Sequence, residues 1–366
     1  MEGSSFMMRI SFTKVVTCVA LSMMLSTGNV FAQSKSQKSK ISGQILGWTT
    51  SYKLSEESSG IANQRQKFVT AFKKLKSSAS KDFFVKEFTN KFGAMLDNKD
   101  SAFNTDDKLR LDRRLVLMIA ISDMPCRTTA NFMLKHIADK DSSFRMLAWK
   151  GIDNSSRYIF KLTTKSRNKF IDAFAKTVST ESNPFVLEAA YNFARISEKA
   201  AKSIKKSAKK KLAKAFISAI AKSRENACKV MLKNENSISA QAMATAVKAL
   251  SSLSSMTKIS KSSKTELVKF TLHVACFGAD ILSRKAAEWK KEDANTLNIP
   301  AFIELITASE KVYTNILGIK EKANSELAKE YKGNKDEEIE YSLFKLNLQD
   351  VFENLKMPEP KVTATK

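Results

Sequence analysis

The chain has 366 residues, with 62 Lys and Arg against 37 Asp and Glu, which gives a formal net charge of +25. Hydrophobic residues make up 43% of the chain, enough for a core, whereas only 10 Gly and 5 Pro are available for turns. This shortage of turn residues argues against an all-β fold, and the long periodic runs predict an all-α fold. The positive charge indicates the class of binding partner rather than the fold: nucleic acid, anionic lipid headgroups or acidic polymers.

Residues 1–32 have the features of a bacterial secretory signal peptide. Arg9 and Lys14 supply a positive n-region, the apolar h-region after them is too short to span a bilayer, and Val30-Phe31-Ala32 forms a cleavage site. An N-terminal anchor that stays uncleaved is the alternative. The sequence therefore predicts an exported protein, periplasmic or extracellular, with no transmembrane segment after signal removal.

The remaining chain divides by composition into three parts. Residues 33–59 combine a polar linker with a short apolar stretch around Trp48 that we expect to dock on the first helices. Residues 60–356 have helical periodicity and are expected to form one helical-repeat domain, and residues 357–366 a flexible tail. Within the helical part, the periodicity predicts helices at 61–76, 81–96, 107–122, 126–138, 141–152, 165–178, 183–196, 200–221, 226–233, 237–254, 264–289, 300–322 and 336–355.

Three of these predicted helices share a pattern of small and apolar residues. The first begins at Asp141, a helix N-cap candidate, and places Ala148 and Gly151 on its apolar face. The pattern returns around Ala190 and around Ala246. The small residues would let a second helix approach each of these faces closely.

This pattern resembles the second helix of HEAT-type (armadillo-like) repeats over residues 126–254. The resemblance implies an α-solenoid of HEAT-like helical hairpins, with the three alanines at helix–helix contacts. Ala148 and Ala190 are 42 residues apart, within the roughly 40–47 residues of such repeats, whereas Ala190 and Ala246 are 56 apart and require an insertion. An irregular multi-helix bundle is the alternative, because amphipathic helices with small residues at this spacing occur widely.

The predicted helix 264–289 is apolar on two faces, which indicates packing from two sides. A narrow polar stripe lies between these faces and faces either bulk solvent or a groove; its residues are Glu266, Lys269, His273, Cys276, Asp280 and Arg284. Three of them, His273, Cys276 and Asp280, could form part of a metal site. One helix cannot complete such a site, and the sequence shows no partner cluster, so we predict no metal.

The predicted helix 200–221 has the clearest electrostatic character. One side is apolar, and the other carries Lys202, Lys206, Lys209, Lys210 and Lys214. A basic amphipathic helix can bind a polyanion or lie on a membrane surface. The lysines could equally be the solvated face of a packed helix, because their long stems cover apolar surface.

The sequence contains no motif for catalysis or cofactor binding. There is no Gly-rich phosphate loop, HExxH, GxSxG or CxxC, and His136 and His273 are the only histidines. We therefore predict no catalytic residue and no cofactor. After signal removal three cysteines remain, Cys126, Cys228 and Cys276, and apolar surroundings favour buried, unpaired thiols. One disulfide bond, or metal ligation, is the alternative.

The predicted function is that of an exported helical-repeat scaffold with a basic surface for an anionic polymer, a membrane surface or a protein partner. One alternative is an enzyme that acts on an envelope or extracellular substrate through carboxylates that the sequence does not identify. The other is a nucleic-acid-binding repeat protein. Export argues against this last role, and aromatic residues are not interleaved with the basic runs as single-strand binding requires.

Overall fold

The computed structural model describes residues 35–53, 58–96, 107–196, 204–291, 297–333 and 340–357. All regular secondary structure in these ranges is helical, which confirms the all-α prediction. In chain order the helices are α1 (Lys35–Lys53), α2 (Ser58–Lys74), α3 (Ser78–Leu96), α4 (Asp107–Ser122), α5 (Arg127–Met133), α6 (Ser142–Asn154), α7 (Ser156–Ile159), α8 (Thr164–Thr180), α9 (Pro184–Ala194), α10 (Lys206–Lys222), α11 (Arg224–Asn234), α12 (Ser237–Ser255), α13 (Lys261–Lys291), α14 (Asn298–Leu317), α15 (Ala323–Gly333) and α16 (Ser342–Asn354). The predicted signal peptide, Lys202 and the tail beyond residue 357 lie outside the described residues.

The chain forms two compact units that divide between Val116 and Leu117, inside α4. The domain predicted over residues 60–356 therefore includes parts of both units, because α1–α3 build a core of their own. Residues 35–40, predicted as linker, are already helical and form the exposed start of α1.

Aromatic side chains form the core of the first unit. The ring of Phe68 on α2 lies 5.0 Å from that of Phe88 and 5.5 Å from that of Phe92, both on α3, centroid to centroid. Tyr52 of α1 meets Phe92 edge-on, and its hydroxyl donates to the carbonyl of Arg113 over 2.8 Å. Such ring pairs stabilise by about 0.5–1.5 kcal/mol beyond the burial of their area. The aromatic core therefore includes α1.

In the second unit, four helices contact one another in chain order: α6 packs on α9, α9 on α12, and α12 on α14. We call them the α6–α9–α12–α14 row. The first three begin alike, since the side chain of Asp141, Asn183 or Asn236 accepts backbone N–H bonds from the first turn. The fourth differs, because Oδ1 of Asn298 accepts the N–H of Ser237 at 2.7 Å and so ties the start of α14 to the start of α12.

Side chains also connect the starts of α6 and α9. Arg145, in the first turn of α6, donates two hydrogen bonds of 2.7 and 2.9 Å to the carboxylate of Glu181, just before α9. Near the other end, Asp153 of α6 interacts electrostatically with Arg195, which follows α9. The two helices therefore begin together, end together and run in the same direction.

A second set of helices packs along this row. α8 contacts α9 and α10, while α13 contacts α10, α11, α14 and α16. The 11-residue helix α11 stands between α10 and α12 and has no counterpart between α8 and α9. It accounts for most of the longer interval between the second and third alanines of the repeated pattern.

The small residues lie where helices touch. Ala148, Ala190 and Ala246 are each fully buried, on α6, α9 and α12. At Gly151 an added Cβ atom would lie only 2.7 Å from Cγ of Met133, on the neighbouring α5. Gly151 therefore permits α5 to approach α6 closely.

The prediction of a single helix over residues 300–322 is wrong at its C-terminal end, because the helix ends before Gly318. That glycine has a φ of +76°, in the left-handed region, and ends α14 at Leu317. A second helix, α15, then begins at Ala323, where the buried Glu310 carboxylate accepts N–H bonds of 2.9 and 2.7 Å from Asn324 and Ser325. A side chain from α14 thus caps α15.

We expect Ala190→Leu to lower the free energy of unfolding by about 1–3 kcal/mol, because added methylene groups have no space at a close helix contact. Urea denaturation followed by circular dichroism measures the change. Ala189→Leu is the matched control, because Ala189, the preceding residue on α9, is only half-buried. It should change the free energy of unfolding by no more than about 0.5 kcal/mol. Equal losses in the two variants would contradict close packing at Ala190.

Candidate binding surfaces

The polar stripe of α13 is not one continuous surface. Glu266 and Lys269 lie near the exposed start of the helix and form a 3.4 Å ion pair. Further along, Cys276 and Asp280 are 1% and 8% exposed, because α11 and α16 both pack against α13. The prediction that the whole stripe faces solvent or a groove is therefore wrong at its centre, where neighbouring helices cover it.

Asp280 is the centre of an ion-pair network that joins three helices. Its carboxylate accepts hydrogen bonds from Arg284 Nε at 3.0 Å and from Lys345 Nζ, on α16, at 3.1 Å. Arg284 also donates from Nη2 to Glu235, the residue after α11, at 2.8 Å. Hydrogen bonds to Glu235 and Asp280 raise the pKa of the Arg284 guanidinium further above its ordinary value. These side chains serve to hold α11, α13 and α16 together.

His273 and Cys228 are poorly suited to acid–base or nucleophilic catalysis at neutral pH. Burial, with the positive charges of Arg224 and Lys269, lowers the pKa of His273 to about 4. Burial raises the pKa of the Cys228 thiol to about 12, so it is not a thiolate. Cys126, Cys228 and Cys276 are buried thiols. The described residues contain no group of three His, Cys, Asp or Glu side chains that could hold a metal ion.

The helix α10 carries an uncompensated basic face. Lys206, Lys210 and Lys214 are exposed and Lys209 is half-buried, and together these four lysines are called the basic surface below. α10 contains no acidic residue, and none of the four forms an ion pair with another described residue. The predicted helix start at residue 200 is not seen in the described part, since α10 begins at Lys206.

The start of α10 adds to this positive potential. The N-cap residue, Lys205, makes no side-chain hydrogen bond to the first turn, and the first turn has no acidic residue. Unpaired N–H groups and the helix dipole therefore place partial positive charge beside the lysines, where an anion would be stabilised. The start of α10 therefore differs from the starts of α6, α9 and α12, each of which has an Asp or Asn cap.

The adjacent helix α8 also exposes several lysines. It packs on α10 and exposes Lys165, Lys169 and Lys176, against one exposed acidic residue, Asp172. Sequence analysis missed this contribution, although the lysines of α8 recur at helical spacing, because the pairing of α8 with α10 is a tertiary contact.

The opposite side of α10 fixes the helix in the core. Phe216 is fully buried and lies edge-on to Phe174 and Phe193, with ring centroids 5.0 and 5.4 Å apart. Leu212 and Ile220 are buried beside it. The lysines thus project from a helix whose position is set by its apolar face.

The carboxylates of an enzyme would have to lie in a cleft, and one acidic cavity is present. A space of about 240 Å³ is lined by Glu310, Glu321 and Asp350, among others. The Glu310 carboxylate is already committed to capping α15, and Glu321 and Asp350 are exposed. This cavity therefore does not present a buried pair of free carboxylates.

We expect His273 to make folding stability depend on pH. The unfolded imidazole binds a proton near its ordinary pKa of 6.5, whereas the folded one binds it only near 4. The unfolded state therefore binds more protons between these values, and stability is lost as pH falls from about 6.5 to 4. Urea denaturation across this range should show a smaller loss in His273→Gln than in the wild-type protein. An equal loss in His273→Gln and in the wild-type protein would show that His273 is not the source.

Comparison with known proteins adds no assignment: no family model, no curated protein and no solved structure matches the chain. No helix in the described part of the chain is both long and apolar enough to cross a lipid bilayer.

Proposed function

We propose that this protein is an exported scaffold of HEAT-like helical repeats whose basic surface binds an extracytoplasmic polyanion. The single observation that carries the proposal is α10, which presents four lysines with no acidic residue in the helix and no ion-pair partner among the described residues. The character of residues 1–32 supports export.

Three features support the HEAT-like part of the proposal. The α6–α9–α12–α14 row contains the three helices of the repeated pattern in successive contact. α6 and α9 run in the same direction, as the second helices of stacked hairpins do. The extra helix α11 lies where the longer alanine interval requires an insertion.

The lysines of α10 contrast with four other lysines of the second unit. Lys229, Lys248, Lys285 and Lys329 each form an ion pair with a glutamate, which lowers the local potential. Uncompensated charges attract a polyanion over about 8 Å at physiological ionic strength. A polymer or surface with repeated negative charges would engage several lysines of the basic surface at once.

We expect Lys206→Glu/Lys209→Glu/Lys210→Glu to reduce binding to an acidic polysaccharide and to anionic vesicles by at least about tenfold, since three attractive contacts become repulsive. Wild-type binding should weaken steeply as salt is raised from about 50 to 300 mM. Binding is measured by co-sedimentation, and circular dichroism should report an intact fold because the buried face of α10 is unchanged. Comparison of the two probes shows which polyanion is preferred.

The matched control is Lys73→Glu/Lys86→Glu/Lys91→Glu, which changes net charge equally at exposed lysines of α2 and α3. It should bind both the polysaccharide and the vesicles nearly as well as wild type. Equal loss in the two triple variants would show that net charge alone governs binding. Salt-insensitive binding that survives in the α10 variant would show that the basic surface has no role.

A further inference from the structure

The first unit has an open groove between α1 and α2, with a volume of about 970 Å³. Ile41, Trp48, Ala71 and Leu75 form its buried or half-buried apolar lining. Its exposed lining includes Lys40, Lys67 and Lys74, and no Asp or Glu among the described residues lines it. None of these three lysines forms an ion pair with another described residue. The groove therefore matches a ligand with an apolar strip and negative charges beside it.

The length of the groove matches a short helix. Its lining runs along α1 from Gln37 to Trp48 and along α2 from Asn63 to Lys74, which is about three turns or ~17 Å on each helix. Two parallel walls with an apolar base are the usual receptor for an amphipathic helix.

A helix with the matching chemistry lies on the surface of this same chain. α16 exposes Leu343 (37%) and Leu346 (52%), and Asp350 and Glu353 are exposed on the same side. At 100° per residue these four positions fall within about 80° of one another, spread over about three turns. The residues Phe344, Leu348 and Phe352 are buried on the other side and fix α16 to its own unit.

We propose that the exposed strip of α16 in one copy of the chain docks into the α1–α2 groove of a second copy. The two leucines would contact the apolar lining near Trp48, and Asp350 and Glu353 would face the lysines of the groove. The strip and the groove are different surfaces, so the contact is head-to-tail and can repeat from copy to copy. The basic surface takes no part, so this inference does not depend on the proposed function.

The contact is small and partly electrostatic, so its association should be weak and salt-sensitive. Sedimentation velocity of the mature chain, from about 5 to 500 µM, should show an average mass that rises with concentration at low salt and falls back at high salt. A wild-type chain that remains monomeric throughout overturns the proposal. A mass that is above the monomer but independent of concentration overturns it as well.

Reversal of the charges gives the decisive test. The groove variant Lys40→Glu/Lys67→Glu/Lys74→Glu and the strip variant Asp350→Lys/Glu353→Lys should each be monomeric, because groove and strip then carry like charges. An equimolar mixture should associate again, since each groove finds an oppositely charged strip on the other variant. Restored association also shows that both variants are folded. A mixture that stays monomeric while circular dichroism shows both variants folded overturns the proposal.

The variant Lys206→Glu/Lys209→Glu/Lys210→Glu is the control, and it should associate like wild type. Loss of self-association in that variant would move the contact to the basic surface and overturn the groove assignment. If wild type is monomeric and only the groove variant loses binding to anionic vesicles, the groove serves a lipid surface and a second copy is excluded as its occupant.

Discussion

The second unit depends on how closely four helices can approach one another. In the α6–α9–α12–α14 row, fully buried alanines occupy the centres of the first three helices. A small side chain at a crossing lets two helix backbones come near each other, and each such contact then buries the larger residues around it. Dense packing of this kind leaves little space for an added methylene group. The remaining helices of the unit are positioned by contact with this row or with α13.

Charged groups inside this packing are satisfied by specific partners. The Glu181 carboxylate, which connects α6 and α9, has its pKa lowered by hydrogen bonds from Arg145 and from backbone N–H groups, against the opposing effect of burial. Glu310 caps α15, and Asp280 connects α13 to α16. Since a buried charge without a partner costs several kcal/mol, these carboxylates specify which helix ends meet. The partners of these carboxylates lie next to them, so these interactions change the exposed charge of the chain very little.

Much of this could be predicted from the sequence, where the signal was local. Periodicity located α4 residue for residue, and the N-cap candidate Asp141 marked the start of α6. The polar stripe of α13 was misjudged because its covering helices, α11 and α16, are separated from it along the chain. Gly318 was overlooked as a helix end, although a lone glycine after an apolar run is a known C-terminal signal. The groove of the first unit left no trace in the sequence, because it is formed by the spacing between two helices.

The same separation between buried and exposed faces explains how this chain can carry so large a positive charge. On α10 the apolar residues around Phe216 are buried among aromatic rings, and on α16 Phe344 and Phe352 have the same role. Each helix is held in place by one face, so the charges on its other face contribute little to folding. Folding therefore leaves them free to match a binding partner. Repulsion among the exposed lysines is a modest cost at surface dielectric, and it is removed when an anion arrives. Exposed positive charge on such a helix is therefore compatible with a stable fold, because the buried face alone holds the helix in place.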